Sequence, residues 1–307
     1  MIEKLVVSGK YAGPHLLVTA GVHGDEYEPM EACRRLYRQL QDEIELLHGK
    51  ITLVPVVNHP AFAMASRTGP DGLDLARICP GQEDGTISER IAYAVSELIV
   101  SADYYIDMHN GGHLYNIYPF SGYVLHPDHN ILMVQQGMAR AFGLPIVWGT
   151  DPTLPGRTLS VARDANIPAI YIEIGGAGIY NESMTKLALQ GCMNVLANLE
   201  LLKINENKKP VRYHVEDHRR ESGYLQRLLP SPADGFFMPE VAFEEPVRKG
   251  QPIGHVQDVL GKVKTPILAD QDGIVFILRN SPSVKKGDSL GAILPATQSE
   301  QVQSIYE

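Results

Sequence analysis

Three short segments of this sequence place imidazoles and carboxylates where strands should end. His23-Gly24-Asp25-Glu26 follows the apolar run HLLVTAG at 15–21. The imidazole of His23 and the carboxylate of Glu26, three residues on, suit a borderline cation such as zinc. Gly24 lets the chain turn sharply between them. The bland alternative is a loop histidine followed by a carboxylate that favours the positive end of a helix. Asp107-Met108-His109-Asn110-Gly111-Gly112 closes a second apolar run. Here His109 offers a third ligand, and Asp107 a carboxylate able to fix the imidazole tautomer from behind. His113 competes with His109, but the Asn-Gly-Gly between them argues against a helix that would align the two. Glu173 stands inside AIYIEIGG at 169–176. A carboxylate in an apolar strand is costly unless it is paired or working. Desolvation would raise its pKa toward that of a general base; a buried structural ion pair is the other reading.

Between the first two segments lies a long stretch, 58–85, rich in Pro, Gly and Asp. It contains Asn58-His59-Pro60, Arg67, Asp74-Leu75-Ala76-Arg77 and Pro80-Gly81. A loop of that length in a compact domain is usually functional. Two guanidiniums beside a metal centre suggest recognition of a carboxylate, which arginine grips bidentately. Taken alone, they read better as ordinary surface charges.

The elements that must position these groups alternate along the first two thirds of the chain. KLVVSG, HLLVTAG, ITLVPVVN, DYYIDMH, IVW and AIYIEI read as strands. Helical spacing runs over 28–47, 86–101 and 182–204, with Thr86 and Glu89 set as a capping box. Alternating β and α implies an α/β fold with a mixed, largely parallel sheet flanked by helices. After the polar stretch near 204–212 the texture changes to short β runs cut by Gly and Pro: GYLQRLL, GFFMP, PVRKGQPIGHV, GIVFILR and VKKGDSLGAIL. Two similar segments, at 247–254 and 284–291, predict a small all-β module with two quasi-equivalent halves. The expected division is a catalytic α/β domain over 1–207 and a β-sandwich or barrel-like domain over 208–307 that caps the active site.

The 307 residues carry a net charge of -9, which opposes a nucleic-acid surface. No apolar run approaches the roughly 20 residues of a membrane helix, and the N-terminus lacks the pattern of a signal peptide. Cys33, Cys79 and Cys192 are too few and too scattered for a disulfide framework. A cytoplasmic protein without nucleic-acid or membrane partners is expected, with a homo-oligomer left open.

Taken in order, HxxE after the first strand–helix boundary, an NxP loop with Arg, DLxR-x-x-PG, a DxH strand end and an apolar strand bearing Glu with Gly-Gly resemble the succinylglutamate desuccinylase/aspartoacylase family. These are relatives of zinc carboxypeptidases, and a C-terminal β domain is common among them. The resemblance implies one zinc ion per chain held by His23, Glu26 and His109, with Glu173 as the catalytic carboxylate. It implies Arg67 as the group that polarises the scissile carbonyl, and Arg77 as the holder of a substrate carboxylate. Asn110 and Arg157 are further candidates for substrate contact. The implied activity is hydrolysis of the amide bond of a small N-acyl amino acid. The alternatives are a zinc carboxypeptidase acting on peptides and a non-catalytic ligand-binding relative. One departure stands out: where the family often reads Asp-Leu-Asn-Arg, this chain has Ala76.

Overall fold

The structure is a computed structural model that describes residues 2–207 and 209–295. Its first part runs β1 (Leu5–Ser8), β2 (Tyr11–Ala20), α1 (Tyr27–Asp42), β3 (His48–Val54), α2 (His59–Ala63), α3 (Ile87–Val100), β4 (Tyr104–His109), β5 (Tyr115–Val124), α4 (His129–Phe142), β6 (Ile146–Thr150), α5 (Thr158–Asp164), β7 (Ala169–Gly176) and α6 (Glu182–Asn198). Then follow β8 (Tyr213–Glu216), β9 (Gly235–Pro239), β10 (Pro246–Val247), β11 (Pro252–Gln257), β12 (Lys264–Leu268), β13 (Gly273–Arg279), β14 (Ser283–Val284) and β15 (Gly291–Leu294).

The fold is the expected mixed α/β arrangement. β3, β2, β4 and β7 lie side by side and parallel. β5 turns against β7, and β6 and β8 continue parallel to β5. Side-chain alternation along the central strands sorts two cores. Leu16, Val18, Ile106, Met108, Ile170, Ile172 and Ile174 face one layer of helices, where Met30, Cys33, Leu36 and Leu40 of α1 pack with α4 and α6. Leu17, Tyr105 and Ala169 face the other layer, against Ala92, Val95 and Ile99 of α3 and Leu159 and Ala162 of α5. A buried isoleucine contributes about 1.5–3 kcal/mol relative to exposure. The three isoleucines of β7 therefore fix which of its faces is left for Tyr171 and Glu173.

Local signals held where they were strong. Thr86 and Glu89 close a reciprocal capping box at the start of α3. Two helices are shorter than their apolar spacing suggests. α1 ends at Asp42 and gives way to a 3-10 turn, Ile44–Leu46. α6 ends at Asn198, where Glu200 takes a positive φ and reverses the chain. The spacing also passes over β5 and α4.

β8 lies beyond residue 207 and yet extends the first sheet through β6. β13 pairs with the start of β5, Ile277 opposite Ile117, and with β10 and β15. β12, β11, β9 and β14 form a second, four-stranded sheet. The paired halves are visible in matching roles: Val247 pairs with Gly273 and Val284 with Gly235. GYLQRLL, expected as a strand, is instead a 3-10 turn, Leu225–Arg227, bounded by positive φ at Gly223 and Leu229. Among the described residues no helix is long and apolar enough to cross a membrane.

Candidate active site

The site forms where β2, β4 and β7 end side by side. β4 and β7 run in register with His109 opposite Glu173 and Asp107 opposite Tyr171. β2 places Thr19 opposite Asp107. With a side-chain period of two, all five point to one face of the sheet. His23 follows β2, and Glu26 occupies the N-cap position of α1 without capping it. Its carboxylate turns instead to the two histidines.

Glu26 Oε1 lies 2.6 Å from His23 Nδ1, and Oε2 lies 2.9 Å from His109 Nδ1. Ligand atoms of His23, Glu26 and His109 all lie within 4.8 Å of one another, and all three residues are buried. Each imidazole has its second nitrogen against another carboxylate. His109 Nε2 is 3.1 Å from Asp107, and His23 Nε2 is 3.2 Å from Asp74. That pattern leaves both Nδ1 atoms turned to the same point, as a divalent ion requires of its histidines. Burial would push the Glu26 carboxyl up, but the flanking imidazoles hold it well below the usual carboxylate range. Asp107 is also lowered: burial opposes ionisation, and His109 outweighs it. A borderline cation fits this donor set.

Glu173 lines the cavity beside these residues, and its Oε2 is buried with no hydrogen-bond partner. Burial pushes its carboxyl up to about 8; His109 pulls it down and Glu26 adds to the rise. Arg67 donates to Asp74 from Nε and Nη2 at 3.1 and 3.0 Å, and its Nη1 lies 3.4 Å from His23 Nδ1. Asp74 thus orients both an arginine and a histidine. The cavity has a volume of about 120 Å3 and is lined further by Ala76, Arg77, Asn110, Arg157 and Tyr171. Neither Arg77 nor Arg157 forms an ion pair among the described residues. Asn110 is held by Glu28, to which Nδ2 donates at 2.5 Å, and its Oδ1 accepts from Gly112 N at 2.8 Å. His113 is half exposed, 3.8 Å from Asp25, and does not join the cluster of His23, Glu26 and His109.

The sequence model of the succinylglutamate desuccinylase/aspartoacylase catalytic domain matches residues 12–199. The chain belongs to the succinylglutamate desuccinylase/aspartoacylase family. A relative from Halomonas elongata, N-alpha-acetyl-L-2,4-diaminobutyric acid deacetylase, is 32% identical over 296 residues, which cover 94% of this chain and 84% of its own. The solved succinylglutamate desuccinylase/aspartoacylase from Rhodobacter sphaeroides superposes with a TM-score of 0.86 at 28% identity, covering 95% of this chain and 88% of that one. A product-bound structure of the ectoine utilization protein EutE (DoeB) from Ruegeria pomeroyi gives 0.85 at 27% identity, covering 94% and 87%.

Several residues of this family member's cavity were not among those the sequence singled out. Tyr171 was hidden in an apolar strand; its hydroxyl is buried without a partner. Thr158 donates to Asp107 from the start of α5. Gly223, Leu225 and Gln226 reach the cavity from beyond the span matched by the family's catalytic domain. Alternation along β7 could have found Tyr171, two residues before Glu173; nothing local could have found the rest.

Proposed function

We propose that this member of a family of amide hydrolases is a zinc-dependent deacylase that cleaves the amide bond of a small N-acyl amino acid. The observation that carries the reading is a juxtaposition. Three metal-ligating groups converge within 4.8 Å, beside a carboxylate oxygen that is buried and unpartnered. His23, Glu26 and His109 would hold the ion. Bound there, zinc acidifies a water and polarises a carbonyl.

The remaining steps belong to the chain's own groups. Glu173, raised by its burial, accepts a proton from the attacking water and passes it to the leaving nitrogen, so amide and water become a carboxylate and a free amine. Arg67, steadied by Asp74, donates to the oxygen on which negative charge develops; such a donor typically contributes about 3 kcal/mol. Arg77 and Arg157 bind the substrate's carboxylate and fix its distance from Glu173. Asn110 supports the site through its bonds to Glu28 and Gly112. The second span, 208–307, covers the mouth through residues near 223–226; residues 208 and 296–307 lie outside those described.

The cavity volume supports a small acyl amino acid over a peptide, since pockets for drug-sized ligands span about 300–1,000 Å3. Nα-acetyl-L-2,4-diaminobutyrate, the compound in the Halomonas relative's name, heads the panel of acetyl and succinyl amino acids to be assayed. Glu173→Gln should retain zinc by elemental analysis while kcat falls at least about 100-fold, the lower bound for losing a positioned base. Normal turnover by that variant would remove Glu173 from the mechanism.

A further inference from the structure

Beyond the catalytic sheet, one segment reaches back to both arginines of the cavity. The Tyr224 ring lies under three guanidiniums, with Arg227 at 4.3 Å, Arg77 at 4.9 Å and Arg157 at 5.5 Å from its centre. Two residues on, Gln226 Oε1 accepts from Arg77 Nη2 at 2.8 Å. Its Nε2 makes no hydrogen bond among the described residues, and the side chain lines the cavity. The segment is tied down at both ends. Ser222 Oγ donates to Asp217 O at 2.7 Å and accepts from Asp151 N at 2.8 Å, while Ser289 Oγ donates to Leu225 O at 3.1 Å.

The arginines it holds are incomplete. Arg77 Nε and Arg157 Nη2 are buried with no hydrogen-bond partner. Burial and the nearby Arg77 lower the pKa of Arg157. Two cations side by side with unpaired donors are costly, and an anion between them removes the cost. The aromatic face offsets part of it meanwhile, through cation–π attraction. The backbone carbonyl of Ala76 accepts from Arg77 Nη1 at 2.6 Å, but its side chain has no amide to add, and Gln226 supplies that amide to Nη2.

The geometry points to Tyr224 and Gln226 as positioning residues that set this enzyme's preference for a carboxylate-bearing ligand, Tyr224 by holding Arg77 and Arg157 at the cavity wall and Gln226 by holding Arg77. This rests on the reading of the two arginines as carboxylate holders. Gln226 fixes Arg77 through its carbonyl and offers Nε2 to the same carboxylate. Tyr224 acts through its π face, so its hydroxyl is dispensable.

The test compares binding of N-acetylglycine and N-acetylglycinamide to the zinc-loaded full-length chain by calorimetry. Wild type should bind the carboxylate at least tenfold more tightly than the amide. Gln226→Ala should shrink that ratio at least fivefold, Gln226→Glu should abolish it, and Ala76→Asn in the Gln226→Ala background should restore part of it. Tyr224→Phe should keep the ratio and Tyr224→Leu should lose it, with amide binding changed less than twofold throughout. Equal ratios in wild type and Gln226→Ala, or a Phe variant as impaired as the Leu variant, would overturn the assignment. Failure of the deacylase reading looks different: no compound of the panel is hydrolysed while the carboxylate preference and its dependence on Gln226 persist.

Discussion

Replacing Asp107 by asparagine should loosen the metal site without altering any group that would touch the ion. Asp107 is fully buried. Its Oδ1 accepts from the Thr19 hydroxyl at 2.7 Å, and its Oδ2 accepts from the Thr158 hydroxyl and lies 3.1 Å from His109 Nε2. All three neighbours offer hydrogens, which an ionised carboxylate can accept and an amide cannot accept in full. The amide nitrogen must face either a hydroxyl or His109. A hydroxyl can rotate to accept. His109 accepts only by moving its proton to Nδ1, which takes away the lone pair that would bind the ion. Even with the amide turned the other way, the imidazole exchanges a charged partner for a neutral one, and charge-assisted bonds are about twice as strong. Loss of such a partner usually weakens metal affinity about 10–100-fold, which is about 1.4–2.8 kcal/mol. Zinc affinity would be measured by competition with a chromophoric chelator, with circular dichroism as a check on folding. Thr158→Val serves as the control: it removes one hydroxyl and keeps the carboxylate on the imidazole, so its loss should be smaller. A zinc Kd for Asp107→Asn within twofold of wild type would refute the tautomer argument.

Metal removal gives a second outcome: chelation should abolish turnover, added zinc should restore it, and the apo protein should melt earlier, because a ligand at 1,000 times its Kd adds about 4 kcal/mol to the native state. Equal melting of apo and zinc-loaded protein would contradict a site of that affinity. Gly24→Ala would bring a Cβ 2.0 Å from the backbone carbon of Ala61 and 2.2 Å from Phe62 N. Overpacking of this kind costs about 1–3 kcal/mol, and because His23 is the adjacent residue, melting temperature and zinc affinity should fall together; a fall in neither would show that the loop gives way freely. Asp71 is one of the carboxylates that contribute to the acid limb of stability. Burial would push its carboxyl up, but the hydroxyl and backbone N–H of Ser88 hold it down, to about 2. A carboxyl lowered in the folded state stabilises fully above its ordinary value of 3.8 and loses that contribution as pH falls toward 2. Asp71→Asn should therefore flatten stability against pH across that window, and an unchanged slope would remove Asp71 from it.

What the sequence made legible follows from how far each signal reaches. A period of two along DYYIDMH and AIYIEI puts Asp107 with His109, and Tyr171 with Glu173, on one face, because Ile106, Met108, Ile170, Ile172 and Ile174 claim the other for the core. Parallel pairing then brings His109 and Glu173 level, so the centre of the site is nearly a local property of two strands. β5 escaped notice because Pro119 and a register shift between Ile117 and Phe120 break its alternation. The role of Asp74 is a long-range one: it sits seven residues from Arg67 and 51 from His23, and only the folded loop lets one carboxylate orient both. The turn at 225–227 is the clearest limit. Its apolar pattern reads as strand, yet the chain makes a 3-10 turn between positive φ at Gly223 and Leu229, and that turn carries an aromatic ring and an amide to guanidiniums far away in sequence. The residues proposed to ligate a metal can thus be read from strand-end spacing, whereas those proposed to choose the substrate are brought together by contacts distant in sequence.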